Sequence, residues 1–158
     1  MKKFNLVFLI LTIFLSTNAQ HLIVKHATSR YWAGGRKESG FGTEYRITFS
    51  AIKTIKKISF ENLWISNKCY KISAFKNGDN VINSENNTFS KDDSIQIIVN
   101  ARSIQDEKGV TSTNDNGCKK MPFKISEKNK AIVEYRIGKK SYQILIKEFV
   151  VLPRLLYP

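Results

Sequence analysis

Ile132-Val133-Glu134-Tyr135-Arg136-Ile137-Gly138-Lys139-Lys140-Ser141-Tyr142-Gln143-Ile144-Leu145-Ile146 decides the fold class. Val133, Tyr135 and Ile137 recur at a spacing of two, and so do Tyr142, Ile144 and Ile146. That period places each set on one face of a strand. Gly138-Lys139 between them fits a two-residue turn with glycine first, the type II′ geometry that matches strand twist. The stretch is therefore a β-hairpin, expected to supply the last two strands. Lys139 and Lys140 at its tip discourage edge-to-edge pairing with another sheet.

The same period recurs upstream. Tyr45, Ile47, Phe49 and Ala51 alternate with Arg46, Thr48 and Ser50. Ile58, Phe60 and Trp64 sit two or four apart. Tyr70, Ile72 and Ala74 alternate with Lys71 and Ser73, and Ile95, Ile97, Val99 and Ala101 with Gln96 and Asn100. Each reads as a half-buried strand. A further strand is expected near Leu22 to Tyr31. Trp64 is expected in the core, as large aromatics are.

Turn residues separate these runs. Asn77-Gly78-Asp79-Asn80 reads as a tight turn, and Ser84 to Asp93 as a loop or short edge strand. Gln105 to Lys120, with Gly109, Gly117 and Asn114-Asp115-Asn116, reads as a long loop. No long helical pattern, internal repeat or low-complexity tract interrupts them. Seven to nine short strands point to an all-β chain, a single antiparallel β-sandwich that is immunoglobulin-like in architecture. The Cys–Trp–Cys order of antibody domains is missing, since Trp64 precedes both cysteines.

The N-terminus has a different logic. Met1-Lys2-Lys3 is basic, Phe4 to Leu15 is almost wholly apolar, and Ser16-Thr17-Asn18-Ala19 is small and polar. This is the order of a secretory signal peptide, with cleavage expected after Ala19. The apolar run is shorter than the roughly 20 residues a membrane span needs. Residues 1–19 are thus expected to leave, and residues 20–158 to form one exported domain, periplasmic, secreted or cell-surface, without a transmembrane segment. In such a compartment Cys69 and Cys118 are expected to form a disulfide. No Cys follows the apolar run, so no lipidated N-terminal Cys is expected.

The Met1-Lys2-Lys3 start, the Asn18-Ala19-Gln20 junction, the Lys/Asn/Ile-rich body and the ending hairpin Ile132 to Tyr142 resemble small exported β-sandwich proteins of the Bacteroidetes. The resemblance implies export and carries no assigned activity. Some exported proteins of that group end in a sorting domain with a basic tail. Leu152-Pro153-Arg154-Leu155-Leu156-Tyr157-Pro158 does not resemble one.

Charge bears on partners. The formal charge is +13, and loss of Lys2 and Lys3 with the leader lowers it to +11. Such a chain is drawn to polyanions. Its basic pairs, Lys56-Lys57, Lys119-Lys120 and Lys139-Lys140, are scattered along the sequence and read first as solvated surface. No specific nucleic-acid site is expected, because such sites favour arginine, and lysines outnumber arginines 20 to 6.

The most unusual stretch of the exported part is Tyr31-Trp32-Ala33-Gly34-Gly35-Arg36-Lys37-Glu38-Ser39-Gly40-Phe41-Gly42. Its glycines open conformations closed to other residues. Arg36 and Lys37 offer charge, while Tyr31, Trp32 and Phe41 offer flat apolar faces to a sugar. The other reading is a plain connection between two strands. No catalytic residues, metal ligands or cofactor site are expected. His21 and His26 are the only histidines, and an odd separation in a strand puts them on opposite faces. His21, at the new N-terminus, is expected to be mobile. Glu44, Glu61 and Glu134 lie in separate strands, and no Gly-x-Ser-x-Gly elbow occurs. The expectation is a non-catalytic binding or structural module of the cell envelope, its partners envelope proteins or acidic polysaccharide. The alternatives are a carbohydrate- or polyanion-binding domain using residues 31–42, and a small secreted hydrolase.

Overall fold

The computed structural model describes residues 21–36, 39–66, 68–76, 80–81, 87–105, 111–113 and 130–158. Among them the chain is nearly all β, with no α-helix. Its strands are β1 (Leu22–Ala33), β2 (Phe41–Ala51), β3 (Ile55–Lys56), β4 (Ile58–Ile65), β5 (Lys68–Lys71), β6 (Ser73–Lys76), β7 (Asn80–Val81), β8 (Thr88–Phe89), β9 (Ser94–Gln105), β10 (Thr111–Thr113), β11 (Ala131–Ile137), β12 (Lys140–Ile146) and β13 (Val150–Leu156). The seven to nine strands expected become thirteen segments, because several are only two or three residues long.

The large sheet has the order β13-β1-β2-β9-β6-β7, with β10 also on β9, and the small sheet is β12-β11-β4-β5. Neither is closed. A short ribbon, β3-β8, stands apart. One core joins the two sheets: Leu22, Ile47, Phe49, Ile95 and Ile97 from the large one, Leu63, Val133, Tyr135 and Ile146 from the small one. Phe49 stacks on Phe60 of the opposite sheet, centroids 5.9 Å apart. Burying each such side chain contributes about 1.5–3 kcal/mol. This arrangement is consistent with a β-sandwich.

The hairpin forms in the expected register, Val133 opposite Ile144 and Ile137 opposite Lys140. Gly138 has φ 58°, while Lys139 stays out of the left-handed region. That is the pattern a two-residue turn with glycine first requires.

Several expectations are corrected. The hairpin does not supply the last two strands, since β13 follows it. After Ile146 the chain leaves the small sheet, and Val150–Leu156 pairs with the edge of the large one. That pairing with β1 is parallel, so the sheet is not purely antiparallel. Alternation cannot foretell such pairing, since β1 and β13 are far apart in sequence. Pro153 is tolerated there because it falls where the register shifts between Arg30 and Trp32, at a sheet edge. The run from Tyr70 to Ala74 is two strands: β5 ends at Lys71 in the small sheet and β6 begins at Ser73 in the large one. Tyr70 and Ala74 nevertheless join the same core.

Trp64 is buried but lies outside the main core, in a cluster with Cys69 and Ile132. Its neighbours Leu63 and Ile65 face the core, so alternation turns Trp64 to the outer side. His21 is not mobile. It is 9% exposed, its carbonyl accepts the Ile52 N–H at 3.0 Å, and its ring meets Tyr142 edge-on. The expected loop from Gln105 to Lys120 contains β10, which pairs back on β9. Cys118, Lys119-Lys120 and the turn residues 77–79 lie outside the described residues. There is no free cysteine among the described residues.

Candidate functional site

β1 rises to the Gly-rich connection and β2 descends from it, so residues 34–36 and 39–40 lie at one end of the large sheet. The connection is knit by its own backbone. Gly34 N–H donates to the Gly40 carbonyl at 2.9 Å and Ser39 N–H to the Arg36 carbonyl at 3.0 Å. Lys37 lies outside the described residues, while Arg36 is exposed.

The structure does not gather the expected aromatics on one surface. In β2, Ile47 and Phe49 face the core, so Phe41 shares their side of the sheet. Tyr31 shares that side through Ala27. Trp32 is turned to the outer side. Phe41 is half-buried opposite Ala33, Tyr31 sits at the rim, and Trp32 is partly exposed.

What the fold adds is the tail. β13 runs up beside β1 and delivers its last residues to the Gly-rich end. Tyr157 N–H donates to the Ala33 carbonyl at 3.0 Å. The Tyr157 ring stands edge-on to Trp32, centroids 6.5 Å apart, and the Arg154 guanidinium lies 5.4 Å from the centre of the Tyr31 ring. Gly35 is so close to the chain end that a Cβ there would sit 2.5 Å from the Pro158 carbonyl carbon.

Arginines complete the end. Arg30 and Arg46 alternate with core residues and so face outward with Trp32. Arg102 stands across the Gly42 row from Trp32: Trp32 pairs with Gly42, and Gly42 with Arg102. Arg36 lies in the connection, and Arg154 stands over Tyr31, on the side away from Trp32. Among the described residues Glu44 is a carboxylate beside the outward arginines. It accepts from Arg46 Nε at 2.6 Å and from Nη2 at 3.2 Å, a bidentate pair. Those bonds push the Arg46 pKa above its ordinary value, and the nearby Tyr157 hydroxyl acts in the same direction. Arg30 Nε is shielded from water and makes no hydrogen bond among the described residues.

Tyr31, Trp32, Arg36 and Phe41 were legible in sequence as one stretch. Arg30, Arg46, Arg102, Arg154 and Tyr157 were not, because they come from four strands and the chain end. Outward alternation marks Arg46, but only the parallel β1–β13 ladder brings Tyr157 to it.

The chemistry of this end is ionic and aromatic. The strand carboxylates are apart and engaged separately: Glu44 with Arg46, Glu61 with Arg136 at 3.2 Å, and Glu134 with Asn62 at 3.0 Å. Among the described residues no three of His, Cys, Asp and Glu gather as a metal site, and no helix is long and apolar enough to cross a membrane.

No family model, curated protein or solved structure matches the chain.

Proposed function

We propose that this chain is a non-catalytic binding module of the cell envelope that takes an acidic saccharide at the arginine end of its large sheet. The observation that carries this reading is that Arg30, Arg46 and Arg102 share the outer side of the large sheet with Trp32, whose ring meets Tyr157. Planar guanidinium groups match carboxylate or sulfate bidentately, and aromatic faces match sugar rings. Export through residues 1–19, an immunoglobulin-like strand arrangement and a Cys69–Cys118 bridge belong to the same proposal.

Titration with uronic-acid oligosaccharides and their neutral counterparts at physiological salt tests it. Saturable binding of the acidic series, lost in Arg30→Gln/Arg102→Gln, is expected. Equal binding of both series, or binding that vanishes with modest salt, would sink the reading.

A second reading, an assembly module that recruits a protein at a sheet edge, has one observation in its favour. Val150, Val151 and Leu156 on edge strand β13 are 63%, 78% and 73% exposed.

A further inference from the structure

The end of the molecule opposite the arginines has its own character. β1 begins there and β2 finishes there, about 35–40 Å from the Gly-rich end for a 12-residue strand. Lysine pairs that are far apart in sequence meet at this end. Gly138 N–H, in the hairpin turn, donates to the Lys57 carbonyl at 2.9 Å. Lys56-Lys57 and Lys139-Lys140 are thereby set side by side, and all four are exposed. The contact is held at some cost. Lys57 has φ 57°, a left-handed conformation unfavourable for a residue with a side chain, and its N–H donates to the Asn87 carbonyl at 2.8 Å. Exposed Ile52 and Lys53 adjoin them through the Ile52–His21 hydrogen bond and the His21–Tyr142 contact.

Among the described residues no ion pair neutralises these lysines. The described ion pairs join Arg46 to Glu44, Lys76 to Asp93 and Arg136 to Glu61, and none uses Lys53, Lys56, Lys57, Lys139 or Lys140. Of the described carboxylates at this end, Asp93 is held by Lys76, and Asp92 is exposed, its N–H donating to the Ala51 carbonyl. Bringing like charges together opposes folding, so a strained turn that does so points to a use outside the fold.

We propose that this lysine end docks on an anionic lipid headgroup surface. Ammonium groups on flexible stems suit a diffuse sheet of charge, whereas shaped anions are better met by arginine forks. A projecting hairpin tip with an exposed isoleucine beside it suits a planar, partly apolar boundary. Each lysine near such a surface strengthens binding by about fivefold.

The test is co-sedimentation of the full chain with vesicles of phosphatidylcholine alone and of phosphatidylcholine with phosphatidylglycerol, at low and physiological salt. The ratio of the two affinities reads charge, because the apolar residues 4–15 act on both vesicles. The variant Lys56→Gln/Lys57→Asn/Lys139→Gln/Lys140→Gln is expected to lower that ratio on the order of a hundredfold or more. Arg36→Gln/Arg154→Gln, at the other end, is expected to lower it far less. Should the quadruple variant fail to fold, Lys139→Gln/Lys140→Gln alters only exposed side chains at the hairpin tip and is expected to lower the ratio at least tenfold. Equal binding to the two vesicles by the unaltered chain, or an unchanged ratio in the lysine variants, overturns the proposal. So does loss of binding to an acidic polysaccharide, and not to vesicles, in the lysine variants. An independent arginine-end titration keeps the failure of this proposal separate from that of the saccharide reading.

Discussion

Trp32 and Tyr157, 125 positions apart in the chain, meet edge-on at 6.5 Å with their planes 70° apart. The contact joins the end of the first strand to the residue that follows the last. An edge-to-face pair of this kind contributes about 0.5–1.5 kcal/mol beyond its buried area. A double-mutant cycle of Trp32→Ala and Tyr157→Ala, read by urea denaturation, is expected to give a coupling in that range. Trp32→Ala alone is expected to cost well under the roughly 3–5 kcal/mol of a core aromatic, because Trp32 is outside the core. A coupling near zero would mean that the two rings do not meet in solution.

Phe49 provides the contrast. It is 0% exposed and stacks on Phe60 across the two sheets. Phe49→Ala is expected to cost about 3–5 kcal/mol, with any acidic-saccharide binding per folded molecule unchanged. Thermal unfolding and the titration, run on the same preparation, check both halves.

Gly35 anchors the tail by having no side chain. A Cβ there would meet Pro158 and Tyr157 backbone atoms at 2.5–3.0 Å. Gly35→Ala is expected to push the tail away and weaken the Tyr157–Ala33 hydrogen bond, a loss of about 0.5–1.5 kcal/mol. Faster amide exchange at Tyr157, with β11 and β12 amides unaffected, is the signature to seek by NMR.

His21 makes stability depend on pH. Burial, with Lys53 nearby, lowers its pKa below 6.5. The unfolded chain therefore takes up a proton near pH 6.5, while the folded chain resists it until lower pH. Stability is expected to be whole above about pH 6.5 and to fall as pH drops through the folded value. His21→Gln should flatten this part of the profile, and a slope unchanged by that substitution would assign it elsewhere. Tyr135 acts at the alkaline end. Burial, then Tyr142, raises its pKa to about 12. Stability is expected to be whole below pH 10 and to decline as pH approaches 12; Tyr135→Phe should lessen that decline, and half-buried Tyr45, whose pKa is also raised, accounts for a remainder.

The proposed bridge makes a paired prediction. Cys69→Ser and Cys118→Ser are each expected to cost about 4 kcal/mol, and the double variant no more than either. Unequal single losses, or a thiol that labels in the unfolded unreduced protein, would remove the bridge from the account.

Alternation made the individual strands legible because one side of each strand meets the core. Ile47, Phe49, Ile95, Ile97, Val133 and Ile144 are all buried as their period of two demands. The hairpin was legible down to its turn, since Gly138 and Lys139 carry the geometry locally. Pairing between distant segments leaves no such local mark. Hence the sheet change at Ile72, the outward Trp64 and the parallel docking of Val150–Leu156 were hidden. Half of the candidate site was hidden for the same reason: Tyr31 to Phe41 is contiguous, whereas Arg102, Arg154 and Tyr157 are gathered by pairing alone.

That parallel pairing has a mechanical side. β1 starts at the lysine end, and β13 finishes at the arginine end beside it, with five register pairs between them. A pull that draws Leu22 and Leu156 apart acts along both strands in opposite senses. It loads the rungs of the ladder in shear, sharing the force among them, where a hairpin pulled at its open end would unzip one rung at a time.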